Sequence, residues 1–223
     1  MQTGSSYRAV AASLSFRILR ILLLSVLGTA AILGGRYGYE LRMERLEADY
    51  GGGGQRAFSR PGRNAPYIQS VDAVVAKMIQ IGTIKPDDVV YDLGCGDGRL
   101  VIAAAVKYGC RGIGFDIEES RVAEARENVT RAGVEHLVEI RQQDIFTVDL
   151  KDADVVLMYL LPWMNRKLIP QFEAMQPGSR IVSHDFGLGD IVDLPSDKTE
   201  QVVVEEDDSI HLIHMWKTPL KIR

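Results

Sequence analysis

The stretch that decides the fold is residues 91–99, which read Tyr91-Asp92-Leu93-Gly94-Cys95-Gly96-Asp97-Gly98-Arg99. A β-branched run begins just before it at Val89, and an alanine-rich segment with helical spacing, Leu100–Tyr108, follows it. A glycine-rich turn between a first strand and its helix lies where the crevice of an open α/β sheet binds nucleotides. Glycines at alternate positions let the backbone turn sharply and approach a ligand closely. A tight turn alone also explains them, so a binding site needs support from the rest of the chain.

The segments on either side of this loop alternate between helix and strand patterns. Helical spacing predicts a leading helix over 70–82 and further helices over 100–108, 119–132 and 163–175. Short β-branched or wholly apolar runs predict strands at 89–94, 112–117, 138–141, 155–159 and 180–183. Two late runs, 201–205 and 210–216, have no helix-length segment between them, which indicates an antiparallel hairpin. The predicted fold class is therefore α/β, an open, mostly parallel sheet of seven strands with a C-terminal antiparallel hairpin.

Acidic residues near the strand ends distinguish two kinds of nucleotide cofactor. Asp116 ends the second strand, 22 residues after Gly94, where a carboxylate can accept hydrogen bonds from both ribose hydroxyls. The loop has the spacing G-x-G-x-G, whereas dinucleotide sites use G-x-G-x-x-G. Asp92 lies before the loop and Asp97 inside it, and two carboxylates would repel a pyrophosphate but attract a cation. The pattern favours a cationic cofactor without phosphate, although Asp92 could also serve only to cap the loop.

The loop resembles motif I of the Rossmann-like S-adenosylmethionine-dependent methyltransferases, whose cofactor carries an ammonium and a sulfonium. Asp144, after the third strand, falls where that superfamily places an acid that accepts the adenine amino group. It could equally be an ordinary turn residue, and Cys95 is interpreted as a small filler between glycines. The resemblance implies S-adenosylmethionine as the cofactor. The cofactor-binding residues that it implies are Asp92, Gly94, Gly96, Asp97, Gly98, Asp116 and Asp144.

A narrower resemblance runs from Pro66 to about Asp190. Its motifs are Pro66-Tyr67, GDGRLVIAAA at 96–105, Tyr159-Leu160-Leu161-Pro162 and Ser183-His184-Asp185-Phe186. With a hydrophobic N-terminal segment, they resemble the membrane-anchored protein-lysine methyltransferases that act on the ATP synthase c subunit or the adenine nucleotide translocase, and look closer to their bacterial relatives. One departure is Ile68-Gln69-Ser70, where relatives often have Val-Pro-Thr. This departure concerns the substrate entrance rather than the cofactor site.

The resemblance implies methyl transfer to a lysine of a protein, including membrane proteins. Such an in-line displacement needs a neutral amine, close alignment and little water. Tyr159 could orient the amine or be a core tyrosine, and His184 or Asp185 could help to remove the proton or cap the strand-end turn. The predicted catalytic positions are Tyr159, Pro162, His184 and Asp185. No metal is predicted, because His211 and His214 lie three apart on a strand and so on opposite faces.

The N-terminal segment is predicted to be a membrane anchor. Fifteen uncharged residues, 21–35, lie between Arg20 and Arg36, fewer than the roughly 20 needed to cross a bilayer as one helix. A hydrophobic helix that spans the bilayer or lies in its interface is favoured over a cleaved signal peptide or a mitochondrial transit sequence. The predicted organisation is an anchor and charged helix at 1–50, a Gly/Arg/Pro linker at 51–65 and a methyltransferase domain at 66–223. The catalytic domain is expected on the cytoplasmic side, or at the mitochondrial inner membrane facing the matrix in a eukaryote.

The charge divides the chain at the same place. Residues 1–64 contain nine basic and four acidic residues, a formal charge of +5, whereas residues 65–223 contain seventeen basic and twenty-six acidic residues, a formal charge of −9. The acidic part argues against nucleic acid as a partner and suits a basic protein segment. Two alternatives remain open at this point. One is a membrane-associated methyltransferase of a lipid, a quinone or another small molecule, and the other is a non-catalytic scaffold that keeps the cofactor fold.

Overall fold

The computed structural model of the protein describes residues 69–188, 195–204 and 209–221. The predicted anchor and linker, the domain boundary and the Pro66-Tyr67 motif lie outside these residues and stay predictions. Within the described part of the chain, no helix has both the length and the apolar character needed to cross a membrane.

Helices and strands alternate along the described residues, as the sequence pattern predicts. The helices are α1 (Asp72–Ile81), α2 (Arg99–Tyr108), α3 (Glu119–Ala132) and α4 (Pro162–Glu173). The strands are β1 (Val89–Leu93), β2 (Arg111–Asp116), β3 (Val138–Gln142), β4 (Val155–Met158), β5 (Arg180–His184), β6 (Lys198–Val204) and β7 (Ser209–Lys217). A short 3₁₀ turn, Ile145–Thr147, follows β3. These bounds agree with the predicted elements to within three residues at each end.

The strands form one mixed sheet in the order β3-β2-β1-β4-β5-β7-β6. Strands β1 to β5 are parallel, β7 runs antiparallel to β5, and β6 runs antiparallel to β7. The predicted α/β fold and terminal hairpin are therefore confirmed. The carboxyl ends of β1 and β4 meet where the direction of strand addition reverses, which is the position at which open α/β sheets bind ligands.

Helices pack on both faces of the sheet, and β4 shows why its sequence is wholly apolar. Val155 and Leu157 belong to the apolar cluster that contains α1 and α2 residues, whereas Val156 and Met158 belong to the cluster that contains α4 residues. All four side chains are fully buried. A strand covered on both faces cannot show an alternating pattern.

The glycine loop is packed closely against β2 through Gly114. A Cβ atom at Gly114 would lie 2.9 Å from Cys95 Sγ and 2.8 Å from Ile140 Cδ1, so only glycine fits without a shift. Burial raises the pKa of the Cys95 thiol, and the nearby Asp92 raises it further. A buried thiol held in its neutral form is a poor nucleophile. Cys95 therefore acts as packing for the loop, as the sequence indicates.

Candidate active site

The glycine loop adopts a conformation that requires its glycines. Gly94, Gly96 and Gly98 have φ of 77°, 53° and 80°, in the left-handed region that other residues rarely occupy. The N–H groups of Gly94 and Cys95 both donate to the carbonyl of Phe115 at 2.9 Å, which ties the loop to the end of β2. Gly98 then leads directly into α2. The three predicted glycines thus form a tight cradle at the carboxyl end of β1.

Asp116 joins the loop to the end of the second strand. Its carboxylate accepts hydrogen bonds from Gly96 N at 2.9 Å and from Glu118 N at 3.0 Å. An ionised carboxylate has about four lone-pair positions, so two accepted bonds leave room for the hydroxyls of a ligand. Asp116 is half-buried, which places it at the edge of the cradle rather than in the core.

Asp92 has a buried carboxyl oxygen that lacks a hydrogen-bond partner among the described residues. Its side chain is 1% exposed, and among the described residues its Oδ2 atom has no hydrogen-bond partner. Burial raises its pKa from 3.8 to about 8, and the neighbouring charges of Asp116 and Asp97 add to the effect. A buried carboxyl with an unsatisfied oxygen is costly unless a partner arrives. A cationic ligand would supply that partner, so the cradle fits a cofactor that carries an ammonium.

Asp97 has a partner, Arg99, that the sequence pattern does not predict. Arg99 approaches its carboxylate with Nε at 3.0 Å and Nη2 at 2.6 Å, and Arg99 Nη1 donates to the Ser70 carbonyl at 2.7 Å. Gln69 Nε2 also lies 3.4 Å from Asp97 Oδ2. Asp97 therefore fastens the segment before α1 to the glycine loop, and its contact with the cofactor stays a prediction.

Asp144 lies at the end of the third strand as expected, and it caps a turn. Its Oδ1 atom accepts a hydrogen bond from Phe146 N at 2.9 Å, at the start of the 3₁₀ turn. This contact fixes the direction of the carboxylate but does not occupy its second oxygen in the described contacts. A role in adenine recognition therefore stays a prediction alongside the capping role.

Three of the four predicted catalytic residues meet at the adjacent ends of β4 and β5. The Tyr159 ring lies 3.8 Å from the His184 ring, centroid to centroid, and is stacked 5.9 Å from Phe186. The Tyr159 hydroxyl lies 3.5 Å from Asp185 Oδ2. Pro162 is the first residue of α4, a position that proline favours for structural reasons. The structure thus assembles Tyr159, His184 and Asp185, whereas Pro162 begins the helix that follows β4.

Asp185 is held in an unusual backbone conformation by a polar network. Its φ is +56°, and its Oδ1 accepts from Leu212 N at 3.0 Å. Burial acts to raise its pKa, but the hydrogen bond from His211, the charge of His184 and the Leu212 N–H outweigh burial, so the pKa lies below its ordinary value. Asp185 is therefore a stable carboxylate, in contrast to Asp92 on the same edge of the sheet.

His211 and Ser70 complete this network, and neither is among the site residues predicted from the sequence. His211 Nδ1 lies 2.9 Å from His184 Nε2 and 3.1 Å from Asp185 Oδ2, and Ser70 Oγ lies 3.1 Å from His184 Nδ1. The alternation along the last strand could have placed His211 on an inward face. The pairing of that strand with β5, which brings His211 to the site, was not readable from the pattern.

The fold and the cradle define an S-adenosylmethionine-dependent methyltransferase, and comparisons with known proteins identify its family. Residues 92–193 match the family model described as the ANTKMT methyltransferase domain. The chain is 35% identical over 155 residues to a protein-lysine N-methyltransferase of Saccharolobus islandicus, across 69% of this chain and 93% of that protein. The chain belongs to this methyltransferase family, and its cofactor is S-adenosylmethionine.

Two further relatives show the range of named substrates. The adenine nucleotide translocase lysine N-methyltransferase of Mus musculus is 33% identical over 125 residues, and this chain spans about half of its length, 54%. A solved structure from Salinibacter ruber, described as an RNA methyltransferase in complex with S-adenosylhomocysteine, is 41% identical with a TM-score of 0.63. It covers 70% of this chain and 97% of its own. Membership of the family is thus clear, whereas the named acceptors differ.

Proposed function

We propose that the protein transfers a methyl group from S-adenosylmethionine to the side-chain amine of a lysine in a protein substrate. The observation that carries the proposal is the cluster of Tyr159, His184 and Asp185 beside the glycine cradle, at the ends of β4 and β5. Relatives named as lysine methyltransferases of proteins support the choice of acceptor. The acidic character of residues 65–223 suits a basic segment around the target lysine.

The cradle residues have distinct parts in holding the cofactor, which supplies a methyl group on a positively charged sulfur. The Asp92 carboxylate is proposed to bind the cofactor ammonium, because its buried Oδ2 has no partner among the described residues. Asp116 is proposed to accept from the ribose hydroxyls, and Asp144 from the adenine amino group. Gly94, Gly96 and Gly98 provide the close backbone approach, and Asp97 supports the loop through Arg99.

The acceptor side of the site is proposed to lie against Tyr159. Its ring is tilted against His184 and stacked at 5.9 Å on Phe186, and it can help to present an aromatic surface to a cationic amine and to exclude water from it. Its hydroxyl can orient the nitrogen, and Asp185 lies within 3.5 Å of that hydroxyl. Pro162, at the start of α4, is proposed to shape the rim where the lysine enters.

A second candidate is methylation of RNA, which the description of the Salinibacter ruber structure favours. The formal charge of −9 on residues 65–223 weighs against it, because RNA binding depends on basic groups that contact phosphates. A lipid or another small molecule is the third candidate, and it gains support only from the predicted anchor.

One labelling experiment separates these acceptors. Proteins, RNA and lipids from source cells that lack the gene are incubated with the full-length protein and tritiated S-adenosylmethionine, and Asp116→Ala serves as the inactive control. We expect label that is released by protease, resists ribonuclease and lipid extraction, and is identified as methyllysine by mass spectrometry. Label confined to RNA or to the lipid extract would overturn the lysine proposal.

We also propose that residues 1–50 attach the protein to a membrane, with the catalytic domain on the cytoplasmic side. The support is the fifteen-residue uncharged run between Arg20 and Arg36. Fractionation of the full-length chain beside a chain that begins at Pro66 tests the idea. The full-length protein should sediment with membranes and resist removal by salt, and equal solubility of the two chains would contradict the anchor.

A further inference from the structure

A buried network of polar side chains extends from the acceptor side of the site. It consists of Ser70, His184, Asp185 and His211, linked by the contacts of 2.9 to 3.1 Å described above. His184 is 1% exposed, Asp185 4% and His211 8%, so water does not compete for these contacts. Titratable groups buried in mutual contact exchange protons with one another rather than directly with bulk solvent.

This polar network has an inner end at the acceptor site and an outer end near the protein surface. At the inner end, Asp185 Oδ2 lies 3.5 Å from the Tyr159 hydroxyl, where the acceptor amine is proposed to lie. At the outer end, His211 Nε2 lies 3.1 Å from the hydroxyl of Ser209, a half-buried residue at the start of β7. An imidazole with one nitrogen toward a carboxylate and the other toward a hydroxyl can take up a proton at one side and release one at the other.

We infer that His211 is a positioning residue which, together with His184, carries the proton released by the acceptor lysine from Asp185 to Ser209. The inference rests on the proposed lysine methylation and deepens it. The sequence motifs of the family resemblance include His184 and Asp185 but not His211 or Ser209, so the inference concerns residues that no motif assigns.

One proton must leave the lysine ammonium for each methyl group that it accepts. A lysine ammonium has no lone pair, so one N–H bond must break before the nitrogen can attack. Its proton passes through Asp185 to the two imidazoles, which share one ring proton across their 2.9 Å contact when neutral and become singly charged when they gain another. In the charged form His211 donates from Nδ1 to Asp185 and from Nε2 to the Ser209 hydroxyl, which takes up the Nε2 proton as it gives its own hydroxyl proton to solvent. The neutral amine then forms the N–C bond, while the electron pair of the broken C–S bond stays on sulfur.

The charged groups around the histidine pair are known for the described elements packed against it. Asp185 is held as a carboxylate beside both rings. On the elements packed nearby, Lys77 of α1 and Glu200 of β6 bind each other at 2.8 Å, and Asp72 of α1 is exposed. Among the described residues, the carboxylate of Asp185 is the charged group that contacts His211, with Oδ2 at 3.1 Å from Nδ1.

His211→Asn is the decisive variant. The asparagine amide can still donate to Asp185 but cannot carry a proton. The matched control is His214→Asn on the same strand, because His214 lies on the opposite face and contacts Thr199. The full-length proteins act on the protein extract used above, at saturating cofactor between pH 6.5 and 9.5, and methyllysine formation is measured. S-adenosylhomocysteine affinity is measured by calorimetry.

The expected result is a changed pH profile with an unchanged cofactor site. The His211→Asn rate should fall about a hundredfold at pH 7, at the lower end of the range of general acid–base effects. It should recover by up to tenfold per pH unit, because free lysine with a pKa of about 10.4 supplies more neutral amine as pH rises. The wild type and His214→Asn should vary little between pH 7 and 9. The affinity for S-adenosylhomocysteine should stay within about twofold of wild type, since the hydrogen-bond partners of His211 in the described part of the chain are His184, Asp185 and Ser209, none of which belongs to the cradle.

Three other outcomes would contradict the inference. A His211→Asn enzyme with the wild-type pH profile, whatever its stability, overturns the relay alone. A wild type that forms no methyllysine overturns the proposed function and the relay with it. About one bound transition metal per chain, with activity lost to a chelator, would show a metal centre instead. If His211→Asn does not fold, Ser209→Ala tests the relay in its place. Ser209→Ala should lower the rate with the pH dependence expected for His211→Asn, and a wild-type pH profile would overturn the relay.

Discussion

The buried carboxyl of Asp92 gives a quantitative prediction about both stability and cofactor affinity. Its pKa is raised to about 8 by burial and, secondarily, by Asp116 and Asp97. The folded protein therefore holds this proton to higher pH than the unfolded chain does. Stability from the neutral carboxyl is fully present below pH 4 and is lost as pH rises to 8, at about 1.4 kcal/mol per pH unit. Without cofactor, the protein should become less stable across the neutral range.

Asp92→Asn removes this titration with little change in shape. Between pH 6 and 8 the free energy of unfolding of the variant, relative to wild type, should rise by about 2 kcal/mol. The figure is two pH units at 1.4 kcal/mol, reduced by about 0.4 because half of the wild-type carboxyls are still protonated at pH 8. Urea unfolding at pH 6, 7 and 8 in the absence of cofactor measures it. The exposed Asp152→Asn provides a control with the same change in charge.

Cofactor affinity should change with pH in the opposite sense to stability. A cationic ligand favours ionised Asp92, so the affinity of the wild type for S-adenosylhomocysteine should rise between pH 6 and 8, by up to tenfold per unit. Asp92→Asn should bind more weakly and lose this rise. Parallel pH dependence in Asp92→Asn, wild type and control, for both unfolding and binding, would refute the idea that this carboxyl is buried, neutral and waiting for a cation.

Three further predictions concern the scaffold and the cradle. Asp88→Asn leaves buried Arg180 without the carboxylate 2.8 Å away, and should cost about 3 kcal/mol of unfolding free energy in urea melts. Gly112→Ala places Cβ 2.2 Å from a methyl group of Val101 and should lower the free energy of unfolding by about 2 kcal/mol. Gly133→Ala has φ of +70° but no atom within 4 Å of the added Cβ, and should lower it by about 1 kcal/mol. Equal losses in the two variants would contradict the packing argument. Asp116→Ala should abolish S-adenosylhomocysteine binding in calorimetry without unfolding the protein. Unchanged affinity would show that the cofactor site lies elsewhere.

The sequence was sufficient for the parts of the fold that local pattern controls. Helix α3 was predicted at its observed bounds, because Glu119 begins a charged amphipathic repeat and Gly133 stops it in the left-handed conformation. The glycine loop was equally readable, since its spacing and its position between strand and helix follow from the chain itself. The membrane anchor and the role of each site residue stay predictions.

The pairing of strands that lie far apart in the sequence could not be predicted from the local pattern. A C-terminal hairpin can add to a sheet by either of its strands, and nothing in residues 198–217 says that β7 rather than β6 pairs with β5. That choice brings His211 to Asp185, so the histidine pair was not foreseen. The Arg99 contact with Asp97 was missed for a different reason, because a charged pair two residues apart in a turn has no periodic signature.

Two carboxyls on one edge of the sheet thus have opposite environments, and the roles proposed for them belong to two different steps, cofactor binding for Asp92 and proton removal for Asp185. Asp92 is neutral without a ligand, whereas Asp185 is ionised and held by His211 and Leu212 N. Environment, rather than residue type, assigns the role of each acid. Cofactor capture through Asp92 should therefore appear in the pH dependence of KM for S-adenosylmethionine, and proton removal through the histidine pair in that of kcat. Asp92→Asn should change the first profile and His211→Asn the second. A variant that changed both together would show that the two ends of the site are not independent.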